Sequence, residues 1–187
     1  MHFFEYKKKS QEILQKAHKR YDHFFEGTIS DEGLEARYHL LEYLRWTFHY
    51  MWGLEKDGNG TPLPLIIKDK SYYWSISHSK NYIAYIVSEN PVGIDIAEQE
   101  IRDIGLFDIH HASEYGILWE KNWAVFYLLW TAKEAILKVH GGALDDMKDM
   151  KILQMSDDSI SIFGFHEKIY TIKTYRKWSM ILSYTYS

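Results

Sequence analysis

The sequence predicts an α+β fold of two halves, each a long helix packed on a small antiparallel sheet. Helical periodicity and strand-like alternation come in blocks, in the order helices, strands, helix, strands, and not in the strand–helix alternation of a doubly wound parallel sheet. The strands follow one another through short turns, as antiparallel neighbours do. The length of 187 residues suits one compact domain or two small fused halves.

The first two elements are helices, over Gln11 to Phe25 and Ser30 to Trp52. In the second, Ser30 or Asp31 can cap, Asp31, Glu32 and Glu35 suit the positive end of the helix dipole, and Leu34, Leu41, Leu44 and Phe48 recur at helical spacing. Glu55 to Pro64, EKDGNGTPLP, is a loop on its glycines and prolines. Three strands follow: SYYWSIS, then YIAYIV after the turn SHSKN, then VGIDIA after SENP. A helix from about Trp123 to His140 stops at Gly141-Gly142. The tail holds strands at Ile160 to Phe165, Lys168 to Tyr175 and Trp178 to Tyr186.

Composition removes several function classes. The net charge of −4 argues against a general nucleic-acid binder. With no cysteine, disulfides, thiolate metal sites and cysteine nucleophiles are excluded. The N-terminus MHFFEYKKKS carries its lysines after its apolar residues and is no signal peptide. No apolar run reaches the roughly 18 residues that span a bilayer, so a cytoplasmic protein without a membrane partner is expected. His110 and His111 adjoin without zinc spacing, and Ser75, Ser77 and Ser79 lack the glycine-flanked elbow of a serine hydrolase.

Two stretches carry chemistry. In the Trp123–His140 helix, Phe126, Leu129, Trp130, Ile136 and Leu137 form an apolar stripe at ~100° per residue, with Lys133 near its middle and Glu134 and Lys138 on one flank. Taken alone, Glu134–Lys138 is a solvated i,i+4 pair and Lys133 a lysine whose stem covers apolar surface while its ammonium reaches water. The alternative is a site holding an anion for the lysines and a cation for the glutamate, which a phosphate with its divalent metal supplies. PVGIDIAEQE, residues 91–100, fits that alternative. Asp95 ends a hydrophobic strand beside a glycine, where it is either a turn residue or an oxygen ligand for Mg²⁺, an ion that takes one or two carboxylates and fills its other positions with water and phosphate oxygens. His78, in the turn after Ser77, is either structural or a phosphate donor.

SISHS at 75–79, VGIDIA at 92–97 and WTAKEAILKVHG at 130–141 stand in the order of the 4′-phosphopantetheinyl transferase signature: SHS in a hairpin, then GIDIE, then W-x-x-KEA-x-x-K-x-x-G. The chain resembles that family. ASEYGIL at 112–118 and YTIKTYRKWSMILSY at 170–184 extend the likeness, which is strongest to the larger, monomeric type with two pseudo-symmetric halves, here in a short form. The resemblance implies halves 1–98 and 99–187 forming one functional unit with the active site between them. It implies Mg²⁺-dependent transfer of phosphopantetheine from coenzyme A to a serine of an apo acyl or peptidyl carrier protein, releasing adenosine 3′,5′-bisphosphate. By the same carry-over Asp95 and Glu134 are metal ligands, and Glu134, Lys138 and Asp95 are the catalytic set; a carboxylate, directly or through a metal-bound water, can take the serine proton, and Glu134 is the candidate because it adjoins both metal and lysines. Arg37, Ser77, His78, Lys133 and Lys138 bind coenzyme A, and Glu114 helps order the metal site.

Two positions depart from the family. Ala97 stands where the type with SHS has a second acid, and Thr61, in Gly60-Thr61-Pro62, stands where its GKP loop has a lysine. Both weaken anion or metal binding, so a degenerate member that binds coenzyme A or a carrier without turnover is the alternative. Glu98 is not assigned as a ligand, because alternation points it away from Asp95.

Overall fold

The computed structural model describes residues 3–21, 30–58, 60–110, 112–117, 121–156, 158–164 and 167–187. Its elements are β1 (Phe3–Lys8), α1 (Gln11–Tyr21), α2 (Asp31–Phe48), β2 (Leu65–Ile67), β3 (Lys70–His78), β4 (Tyr82–Ser88), β5 (Val92–Glu98), α3 (Ala112–Ile117), α4 (Trp123–His140), β6 (Lys151–Met155), β7 (Ser159–Gly164), β8 (Lys168–Lys177) and β9 (Met180–Tyr186). Short 3-10 turns lie at Ile104–Ile109 and Leu144–Asp149. The fold is α+β with two antiparallel sheets, ordered β1-β4-β3-β2 and β5-β9-β8-β7-β6. No described helix is long and apolar enough to cross a membrane.

Each long helix is set by its ends. The Ser30 hydroxyl accepts from Gly33 N–H at the start of α2, and the helix closes at His49, in the left-handed region at φ 56°. That closure comes before Trp52, where periodicity had put it. The Asn122 side chain accepts from Val125 N–H at the start of α4, and Gly141, at φ 71°, ends it where predicted. The predicted end of the first helix, residues 22–25, lies outside the described residues.

Leu40, Leu41 and Leu44 of α2 pack on Trp74, Tyr85 and Val87 of the first sheet. Leu128, Leu129, Ala132 and Ile136 of α4 pack with Ile160, Ile162, Ile172 and Ile181 of the second. A third cluster, Ala84 and Ile86 with Ile94, Ile96 and Leu182, joins the two sheets.

Three strands escape sequence patterning. The N-terminal stretch read only as no signal peptide is β1, an edge strand paired from Phe3↔Val87 to Lys8↔Tyr82, with lysines on its exposed border. β2 and β6 are the other two. The turn between β8 and β9 falls at Trp178, at φ 53°, so β9 begins at Met180.

β5 positions the site. It lies within residues 1–98 yet takes its backbone partners from the chain's last strand, from Val92↔Tyr186 to Glu98↔Met180. Its other edge runs beside β3, joined by side chains: Ser75 Oγ accepts from Ile94 N–H (3.2 Å) and Ser77 Oγ from Ile96 N–H (3.3 Å). Ile94 and Ile96 fill the seam, while Gly93, Asp95 and Ala97 turn toward α4.

Candidate active site

Asp95 is the centre of the constellation. Its Oδ1 accepts from the Ser77 hydroxyl at 2.6 Å and from the Lys138 ammonium at 2.6 Å, and the residue is buried. Both bonds reach the same oxygen, so Oδ2 carries neither. One turn before Lys138, Glu134 stands half-buried on the same flank of α4. Burial and then the Asp95 charge push the Glu134 carboxyl up, while Lys138 pulls it back.

These groups line an open cleft of about 530 Å³. α2 contributes Ser30, Gly33 and Arg37, β3 contributes Ser77 and His78, β5 contributes Asp95, α4 contributes Glu134 and Lys138, and the loop after α2 contributes Lys56. The positive N-terminal turn of α2 thus faces the cleft, with Arg37 beyond it, a setting that favours anions. Burial lowers the Arg37 pKa. Of the predicted residues, Arg37, Ser77, His78, Asp95, Glu134 and Lys138 come together here.

Lys133 does not. It is fully buried, and its ammonium donates to Glu114 Oε2 at 2.8 Å and to the Met147 carbonyl at 3.1 Å. The expected phosphate contact is corrected: adjacent helical residues diverge by ~100°, and where Glu134 faces the cleft, Lys133 enters the second core. Glu114 goes with it. Its other oxygen accepts from Ile152 N–H, so it links α4 to β6.

Glu98 points away from the cleft, as alternation predicts. It accepts from Ser79 Oγ (3.0 Å), Asn81 N–H (2.7 Å) and Asn81 Nδ2 (2.7 Å), pinning the hairpin that presents Ser77 and His78. A second pocket, about 230 Å³, adjoins the first through His78 and is lined by Ala97, Arg102, Phe126 and Trp130 among others.

The donor set fits a hard divalent cation. Asp95 and Glu134 are two carboxylates close enough for one to raise the other's pKa, a repulsion that a cation between them relieves. No cluster of three or more His, Asp or Glu suited to a metal occurs among the described residues. A two-carboxylate site completed by water and phosphate oxygens is ordinary for Mg²⁺. Sequence reasoning missed Lys56; the loop composition marked a turn, but not which of its residues would face inward.

Residues 91–184 match the family model described as the 4′-phosphopantetheinyl transferase superfamily. The chain is also similar to the 4′-phosphopantetheinyl transferase psf-1 of Bacillus pumilus, 29% identical over 158 residues, which are 76% of this chain and 67% of the relative. It is similar to a 4′-phosphopantetheinyl transferase of Bacillus subtilis, 32% identical over 111 residues, 55% of this chain and 49% of the relative. The 4′-phosphopantetheinyl transferase gsp of Aneurinibacillus migulanus is 34% identical over 80 residues, 39% of this chain and 33% of the relative. The matched stretches thus span about two thirds of the first relative and half or less of the others.

Proposed function

The chain belongs to the 4′-phosphopantetheinyl transferase superfamily, and from that membership and the cleft we propose that it transfers 4′-phosphopantetheine from coenzyme A to a serine of an apo acyl or peptidyl carrier protein, with Mg²⁺, releasing adenosine 3′,5′-bisphosphate. The observation that carries the reading is the meeting, in one cleft, of two carboxylates on β5 and α4 with cations from α2 and α4. In this reading the halves 1–98 and 99–187 are pseudo-symmetric and act as one monomeric unit.

Asp95 and Glu134 would hold the Mg²⁺, which when bound neutralises charge on the diphosphate and polarises the phosphorus under attack. Ser77 fixes the Asp95 carboxylate through its hydrogen bond to Oδ1. Arg37, Ser77 and His78 bind phosphates, Arg37 taking the 3′-phosphate. The carrier serine oxygen forms a bond to the phosphorus bearing the pantetheine arm, and the bond from that phosphorus to the bridging oxygen breaks. The electron pair leaves with adenosine 3′,5′-bisphosphate, whose developing charge Lys138 stabilises. The serine proton goes to Glu134, which lines the cleft beside Asp95 and Lys138. The pocket beyond His78, with Phe126 and Trp130, suits the uncharged pantetheine arm.

The test incubates the protein with coenzyme A, Mg²⁺ and apo carriers of fatty-acid, polyketide and peptide-synthetase type, and weighs each carrier by mass spectrometry. A gain of one phosphopantetheine group is expected; no gain on any carrier overturns the proposal. Ala97 favours a second reading, a member that binds coenzyme A without turnover, and any turnover eliminates it.

A further inference from the structure

Lys56 is a cleft cation that the family signature does not contain. It stands at the neck of a closed turn: Lys56 forms a β-bridge with Pro62, Asp57 N–H donates to the Thr61 carbonyl (2.9 Å), and Thr61 N–H donates to Asp57 Oδ1 (2.8 Å). The tip of the turn is seated on the end of α4, where a Cβ at Gly141 would lie only 2.4 Å from Thr61 Oγ1. The position that carries a lysine in the family's loop therefore holds a short residue packed on a helix end, while Lys56, five residues earlier, lines the cleft.

Lys56 shares that cleft with Arg37 and Lys138, three cations from three separate elements. Lys138 is paired with Asp95. No described residue forms an ion pair with the Lys56 ammonium. Partial burial of its ammonium, then the charges of Arg37 and Lys138, lower its pKa, which puts both of those cations within electrostatic reach of Lys56. Like charges converging on one cleft repel, and a polyanion between them converts the repulsion into three attractions.

We propose that Lys56 is a phosphate-binding residue of this chain, supplying from the neck of the loop the cation absent at Thr61. For coenzyme A as the ligand this rests on the function proposed above, and the test separates the two claims. Coenzyme A and inorganic pyrophosphate are each titrated calorimetrically into the unaltered protein and into Lys56→Ala, Lys56→Arg and Thr61→Ala. Lys56→Ala weakens both ligands about tenfold or more, Lys56→Arg retains most of the affinity, and Thr61→Ala, which keeps the backbone bonds of the turn, binds as the unaltered protein does. Lys56 is exposed, so Lys56→Ala folds, which circular dichroism checks. Unchanged affinity of folded Lys56→Ala for both ligands overturns the proposal and leaves the function standing. Pyrophosphate binding that needs Lys56, without coenzyme A binding, supports the phosphate site and overturns the coenzyme A reading. Binding of neither ligand to the unaltered protein overturns both.

Discussion

The Lys133 ammonium lies 2.8 Å from Glu114 Oε2 with both side chains withdrawn from solvent, at 0% and 2% exposure. Burial lowers the Lys133 pKa and Glu114 raises it, so the pair is held together by the cost of separating it. Lys133→Met leaves a buried carboxylate without its cation and is expected to cost about 3–5 kcal/mol, read from the urea midpoint. Adding Glu114→Met recovers part of that loss, because an apolar pair of similar volume carries no buried charge. Coenzyme A affinity of folded Lys133→Met stays unchanged. Weakened binding at unchanged stability would return Lys133 to the phosphate site.

Gly93 is a place where β5 and α4 touch through backbone. A Cβ there would lie 1.9 Å from the Ala135 carbonyl oxygen, and a carbonyl inside a helix cannot rotate aside. Gly93→Ala is expected to cost about 3 kcal/mol by forcing the elements apart. Because Asp95 follows two residues on and Glu134 precedes Ala135, the same displacement lowers turnover in the protein that still folds. Thermal melting and steady-state rates, taken together, check both effects; an unshifted melting temperature would contradict the close approach.

His39 gives the stability a pH dependence. It is buried on α2, its Nε2 has no hydrogen-bond partner, and burial, then Lys7, lower its pKa to about 4, against opposing pulls from Glu5 and Glu42. The unfolded chain binds this proton near pH 6.5 and the folded chain only near pH 4, so the unfolded state holds more protons between those values and stability rises with pH there. His39 therefore withdraws about 3 kcal/mol as pH falls from above 6.5 to 4. Urea unfolding at pH 7.5 and pH 5 should show a smaller difference for His39→Phe than for the unaltered protein. Equal differences would refute it.

The blocks of helix and strand were legible in the sequence; of the cleft, Asp95, Glu134 and Lys138 stood out within patterned elements, whereas Ser77 and Arg37 were marked only by the family resemblance. What escaped depends on pairings that no local pattern encodes. β5 alternates like a third strand of a meander, yet its partner β9 lies at the other end of the chain. β1 has lysines where a buried strand would have apolar residues, because it is an edge. Lys133 looked like a misplaced surface lysine since its partner, Glu114, is nineteen residues away on another helix. Lys56 was hidden in a loop whose glycines and proline announce a turn without saying which side chain it aims inward.

Ala97 bears on the rate. It lies two residues beyond Asp95 on the same face of β5 and borders the pocket that also holds Arg102, Phe126 and Trp130, so a longer side chain has room and a cation nearby. Ala97→Glu adds a second β5 carboxylate beside Asp95, which strengthens the hold on a hard divalent cation by adding charge and an oxygen ligand. The Mg²⁺ concentration giving half-maximal transfer is expected to fall by about threefold or more, read from initial rates against Mg²⁺. Glu134→Gln removes the group proposed to take the serine proton and should lower turnover at least about 100-fold in either background, with circular dichroism unchanged. A half-maximal Mg²⁺ concentration that Ala97→Glu leaves where it was would detach position 97 from the metal, and full activity in Glu134→Gln would remove Glu134 from its role as base.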